Sequence, residues 1–127
     1  MKKSVKDLVS EAVSRIRTYE VEEAQERLGR EDVVFVDVRD EPELGIEGRI
    51  PGAVHASRGM LEYHVDTESP YHKTVFAEDK EFIFYCKSGG RSALAAQRAM
   101  EMGLERVASI NGGFNAWKER AGQVEPV

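Results

Sequence analysis

Apolar residues recur at helical spacing near the start of the chain: Val5, Leu8, Val9, Ala12, Val13 and Ile16 form one stripe. The spacing predicts an amphipathic helix over 4–16, capped by Ser4 with Asp7 three residues on. A second helix is predicted over Val21–Leu28, ended by Gly29. The period then changes. Asp32-Val-Val-Phe-Val-Asp37 reads as a strand buried on both faces, and so does Glu81-Phe-Ile-Phe-Tyr-Cys86. Arg106–Ile110 reads as a third such strand, and Ala53–Ala56 as a short one. Between these lie a helical turn at Glu41–Leu44, a short helix at Arg58–Val65, an Ala-rich helix at Ser92–Met102 and a final helix at Phe114–Ala121. Asp66–Tyr71 reads as loop, and Lys73–Asp79 fits neither period. Strands alternating with helices predict an α/β fold, a parallel sheet with helices on both faces.

Composition narrows the picture. The chain has 127 residues, 41% hydrophobic and 32% charged, the balance of one globular domain. Its net charge of −5 argues against a generic nucleic-acid partner. No apolar run is long enough to cross a bilayer. The opening Met-Lys-Lys-Ser lacks the apolar segment of a signal peptide. A lone cysteine forms no internal disulfide, and with three scattered histidines it offers no cysteine-rich metal site. A cytoplasmic protein with a reduced thiol is expected.

That cysteine, Cys86, closes a buried strand, at the sheet edge where ligands of α/β proteins bind. Cysteines in such places are ordinarily inert core. Core packing, however, does not call for the residues next in the chain: Lys87, Ser88, Gly89, Gly90, Arg91 and Ser92, then a helix. Tandem glycines let a chain curl and aim successive N–H groups at one point. The helix start adds its own free N–H groups, and Lys87 and Arg91 add positive charge. The expected result is a Cys86 thiolate beside an anion pocket, the layout of covalent catalysis.

Cys86-Lys-Ser-Gly-Gly-Arg-Ser92 resembles the active-site loop of the rhodanese-like sulfurtransferases. Further segments match in the family's order. Val36-Asp-Val-Arg39 followed by Glu43 resembles its Asp-x-Arg signature. Gly48-Arg-Ile-Pro-Gly-Ala53 resembles its Gly-His-Ile-Pro-Gly-Ala motif, with Arg49 in place of His. Gly112-Gly-Phe-Asn-Ala-Trp117 resembles its closing Gly-Gly-x-x-x-Trp. The resemblance runs from about Thr18 to the C-terminus, so 1–16 is expected to be a helical extension and 17–127 the rhodanese-like domain. It implies a five-stranded parallel core. It also implies a cycle in which Cys86 takes sulfane sulfur from a small anionic donor such as thiosulfate. The resulting persulfide passes sulfur to cyanide, a thiol, or a sulfur-acceptor protein; the sulfur comes from substrate, so the resemblance implies no metal and no organic cofactor. Competing readings are a non-catalytic or persulfide-carrying module that binds a partner protein, and a cysteine phosphatase or arsenate reductase. Related cell-cycle-type phosphatases use a C-x5-R loop around a phosphate, whereas here the spacing is C-x4-R.

The remaining candidates are supporting ones. Asp37 and Arg39 end the first buried strand near the active edge, where a buried charge needs a partner. Arg58 stands either at the substrate mouth or as a solvated helix start. His55, His64 and His72 lack any pairing pattern and read as surface or packing residues, with His55 near enough to a strand end to reach the site. Phe114 and Trp117 read as core, and the acidic run around Glu20–Glu26 as a solvated helix face.

Overall fold

The computed structural model describes residues 2–127; Met1, the first residue of the expected extension, lies outside them. Five parallel strands form one sheet: β1 (Arg17–Tyr19), β2 (Val33–Asp37), β3 (Val54–His55), β4 (Glu81–Tyr85) and β5 (Val107–Ile110), in the order β1-β5-β4-β2-β3. The helices are α1 (Val5–Arg15), α2 (Val21–Glu26), α3 (Glu41–Glu47), α4 (Leu61–Val65), α5 (Gly90–Glu101) and α6 (Gly113–Glu119). Short 3-10 turns occupy Arg58–Met60 and Thr74–Ala77. The first of them takes the start of the helix expected at Arg58–Val65, and the second falls where neither period held.

Period-two alternation splits the core. Val34, Val36, Phe82, Phe84 and Val107 face α4 and α5. Phe35, Ile83, Tyr85, Ala108 and Ile110 face α2 and α6. The strand β1 escaped the reading of the pattern because Arg17-Thr18-Tyr19 buries only Tyr19. It is an edge strand defined by its ladder to β5, with Tyr19 opposite Ile110.

Helix α1 carries the expected capping box, with Ser4 Oγ accepting from Asp7 N–H at 3.1 Å. Its stripe is only partly covered. Ala12 is buried and Ile16 packs on the α5-side core, while Val5, Leu8 and Val13 stay exposed. No helix among the described residues is long and apolar enough to cross a membrane.

The order of strands positions the chemistry. From β2 the chain moves outward to β3, and from β4 it moves the other way to β5. The connections therefore diverge between the carboxyl ends of β2 and β4, the place where such sheets open a ligand crevice.

Candidate active site

Cys86 is the first residue past β4, the central strand, and its free thiol is 1% exposed. The chain reverses at Gly89, whose φ of +109° suits glycine. The Gly89 N–H then donates to Cys86 Sγ at 3.1 Å. The helix α5 begins at Gly90, two residues before the expected Ser92. Its unpaired N–H groups therefore start inside the loop and bring their positive end toward the sulfur.

Lys87 and Ser88 are exposed, Gly90 and Arg91 half-buried, and Ser92 fully buried. Arg91 does not stand free to meet an anion. Its guanidinium donates twice to the Glu43 carboxylate of α3, at 2.7 and 3.0 Å. Those hydrogen bonds pull the Glu43 carboxyl down to about 2, against the upward push of burial. The Arg91 pKa rises in return, chiefly through the same pair. Arg91 thus braces the loop against α3 while placing a cation near the sulfur.

Asp37 and Arg39 lie on the opposite sheet face and are both fully buried. Arg39 Nη2 donates to Asp37 Oδ2 at 2.6 Å and to the Gly48 carbonyl at 2.7 Å. Its guanidinium carbon sits 4.4 Å from the centre of the Phe114 ring. Burial lowers the Arg39 pKa, but the hydrogen bonds and charge of Asp37 outweigh it, so the group stays charged. Arg58 turns its guanidinium to Glu62 at 3.2 Å, rather than to the Cys86 loop. His55 Nε2 meets the Arg39 carbonyl at 2.7 Å, and His64 and His72 likewise meet backbone carbonyls. Phe114 and Trp117 are wholly buried. Among the described residues, no three His, Cys, Asp or Glu side chains are grouped to hold a metal ion.

Ser109 was not singled out by the pattern, and Gly113 entered only as part of the closing Gly-Gly-x-x-x-Trp segment. Ser109 lies in β5, 3% exposed, with its Oγ 2.8 Å from Ser92 Oγ. A lone polar residue in a buried Val-Ala-Ser-Ile strand is its only signal, because such a group needs a partner. Gly113 lies so close to the loop that a Cβ there would stand 2.5 Å from the Cys86 carbonyl oxygen.

A buried cysteine at the end of the central strand, its sulfur accepting the Gly89 N–H where α5 begins and where the parallel sheet's connections diverge, is the chemical feature around which this α/β fold is arranged. The rhodanese-like domain model matches residues 20–120, and the chain belongs to that family. The thiosulfate sulfurtransferase GlpE of Pseudoalteromonas translucida is 37% identical over 93 residues, covering 73% of this chain and 80% of that one. A sulfurtransferase of Allochromatium vinosum is 32% identical over 87 residues, 68% of this chain and 73% of that one. A solved structure from Rhodopseudomonas palustris, described as a protein of unknown function and possible tyrosine phosphatase, is 46% identical with a TM-score of 0.95. The match covers 98% of this chain and 96% of that one, α1 included.

Proposed function

We propose that the protein is a cytoplasmic sulfurtransferase of the thiosulfate:cyanide type whose persulfide forms on Cys86. The rhodanese-like unit is 17–127, with 1–16 as an extension. The Cys86 thiolate attacks the outer sulfur of a thiosulfate-like donor. A bond forms between Sγ and that sulfur, the donor's own S–S bond breaks, and sulfite leaves with the electron pair. A thiol, cyanide, or the thiol of a sulfur-acceptor protein then removes the terminal sulfur and restores the thiolate. Lys87, Ser88, Gly89, Gly90, Arg91 and Ser92 form the anion-binding loop, and their donors match the charge that builds on the leaving sulfonate oxygens. Asp37 and Arg39 support the site indirectly, by holding the end of β2 beside β4 from the other sheet face, and Arg58, held by Glu62, takes no direct part.

The contact that carries this reading is the one between the Gly89 N–H and Cys86 Sγ, made where α5 starts. It aims a donor at the sulfur, a direction that favours an anionic sulfur over a neutral one. Phosphate-ester hydrolysis is the second reading, given weight by the description of the Rhodopseudomonas palustris relative. The C-x4-R spacing makes a tighter ring than a phosphate tetrahedron fills.

Mass spectrometry after thiosulfate tests the proposal. The wild type is expected to gain about 32 Da, one sulfur atom, and to lose it on adding cyanide. Cys86→Ser is expected to do neither. Hydrolysis of aryl phosphates without sulfur loading would replace this reading with the second.

A further inference from the structure

Two buried hydroxyls stand behind Cys86, and that of Ser109 has no part yet in the chemistry. Ser92 Oγ lies 3.6 Å from Cys86 Sγ, 2.8 Å from Ser109 Oγ and 3.2 Å from the Gly89 carbonyl oxygen. Alternation along β5 turns Ser109 to the same sheet face as Val107, and the ladder sets it opposite Phe84 of β4. Two residues beyond Phe84 on that face is Cys86 itself. The two serines and the thiol are thus one cluster, sealed between the sheet and the first turn of α5.

A hydroxyl has one proton to give and two lone pairs. Ser92 has three neighbours, so the direction of its proton depends on theirs. While Cys86 is a thiol, Ser92 accepts from the S–H and from Ser109, and donates to the Gly89 carbonyl. Once the thiol proton has gone to solvent, the sulfur needs a donor. Ser92 supplies one only if Ser109 donates to it; were Ser109 the acceptor, the Ser92 proton would be held away and its lone pairs would face the thiolate. The Gly89 carbonyl is not orphaned by the change, because it also accepts the Ala93 N–H at 3.2 Å.

We propose that Ser109 is a positioning residue for the nucleophile: by donating to Ser92 it leaves the Ser92 proton free to turn from the Gly89 carbonyl onto Cys86 Sγ as the thiolate forms. The inference rests on the reading of Cys86 as a thiolate nucleophile. It adds a residue from β5, outside the loop, to the machinery that sets the sulfur's charge. The charged groups nearest the sulfur are Lys87 and Arg91 on the loop, Glu43 of α3 paired with Arg91, and Arg58 and Glu62 on the turn and helix packed against α5; the Asp37–Arg39 pair lies across the sheet. None is touched by removing a serine hydroxyl, so the pH dependence of Cys86 reactivity reads the hydroxyls alone.

Cys86 is the one cysteine, so alkylation by iodoacetamide reports on it without ambiguity. Rates are measured from pH 5 to 10 for the wild type, Ser92→Ala, Ser109→Ala, Ser109→Thr and the double alanine variant, with a thermal melt confirming that each is folded. Ser92→Ala is expected to slow alkylation at neutral pH about tenfold and move its midpoint up by about one pH unit, with the alkaline limit unchanged. Ser109→Ala is expected to move it the same way, about threefold, and Ser109→Thr to restore it. The double variant is expected to match Ser92→Ala, because Ser109 acts through Ser92. A Ser109→Ala profile that overlays the wild type, or effects that multiply in the double variant, would overturn the proposal. Thiosulfate loading of the same samples separates the two claims. A wild type that takes no sulfur, with shifted variants, removes the sulfur-transfer reading and keeps the relay. Sulfur loading with coincident profiles removes the relay alone.

Discussion

The Phe114 N–H, at the start of α6, donates to the carbonyl of Cys86 at 2.8 Å. The Asn115 N–H does the same for Lys87 at 3.0 Å. Both loop carbonyls are therefore turned away from the sulfur and absorbed by a helix that needs acceptors for its first N–H groups. With its carbonyls pointing out, the loop is free to point N–H groups in, as Gly89 does. The closing Gly112-Gly113 pair serves this arrangement, with φ of +78° and +58° bringing α6 under the loop.

Gly113→Ala is expected to disable the site. Its methyl would meet the Cys86 and Lys87 carbonyl oxygens at 2.5 and 2.7 Å, in a left-handed conformation that an L side chain resists. Strain and overpacking together are expected to lower stability by about 2–4 kcal/mol. Sulfur loading per folded molecule is expected to fall more than tenfold. Gly29→Ala is the control: it has a φ of +86° but open space around it, and is expected to cost stability and leave loading intact.

The buried Asp37–Arg39 pair is expected to fail asymmetrically. Asp37→Asn leaves the buried guanidinium with only the Glu47 carboxylate, 3.9 Å away, as counter-charge and is expected to cost about 3 kcal/mol by urea denaturation. Replacing both residues with apolar ones of similar size is expected to cost less than that single change. Equal or larger loss in the double variant would mean that the contact of Arg39 with the Gly48 carbonyl and Phe114 dominates.

The pair between Glu43 and Arg91 sets an acid limit. The folded Glu43 carboxyl titrates at about 2, below its ordinary value of 4.5. A lowered carboxyl contributes stability that is complete above the ordinary value and lost as pH falls through the folded one. Glu43→Gln is therefore expected to be less stable than wild type by about 1 kcal/mol at neutral pH, once solvent screening at the half-buried pair is allowed for. The difference in melting temperature is expected to shrink between pH 4.5 and 2.

Deleting residues 1–15 is expected to lower stability and keep turnover per folded molecule within about threefold, since burial in α1 centres on Ala12. Circular dichroism and steady-state rates on the truncated chain check this. A folded, inactive product would assign α1 to the site. Val9 and Val13 do line a cavity of about 160 Å³ behind Ser88, Gly89 and Gly90.

The sheet and the loop were legible because their signals are local. A run such as Phe82-Ile-Phe-Tyr fits only a strand buried on both sides, and Gly-Gly before an Ala-rich helix announces a tight turn. The need of Arg39 for a partner could be read for the same reason, the partner being two residues away. What was lost lies far off in sequence. Arg91 reads as a free cation until the fold delivers Glu43 to it across 48 residues. Helix α5 starts early because Gly89, at φ +109°, already turns the chain into its first residue. The strand β1 and the hydroxyl of Ser109 gain their meaning only from neighbours in the sheet.

The solitary thiol has a kinetic consequence. Under the proposed chemistry the protein has a single slot for sulfur and no second cysteine to resolve the charged form as an internal disulfide. Emptying that slot falls wholly to an outside molecule, so the two half-reactions alternate and each waits on a different concentration. When acceptor is scarce the loaded form accumulates, and the burial of Cys86 then becomes its shield against further oxidation.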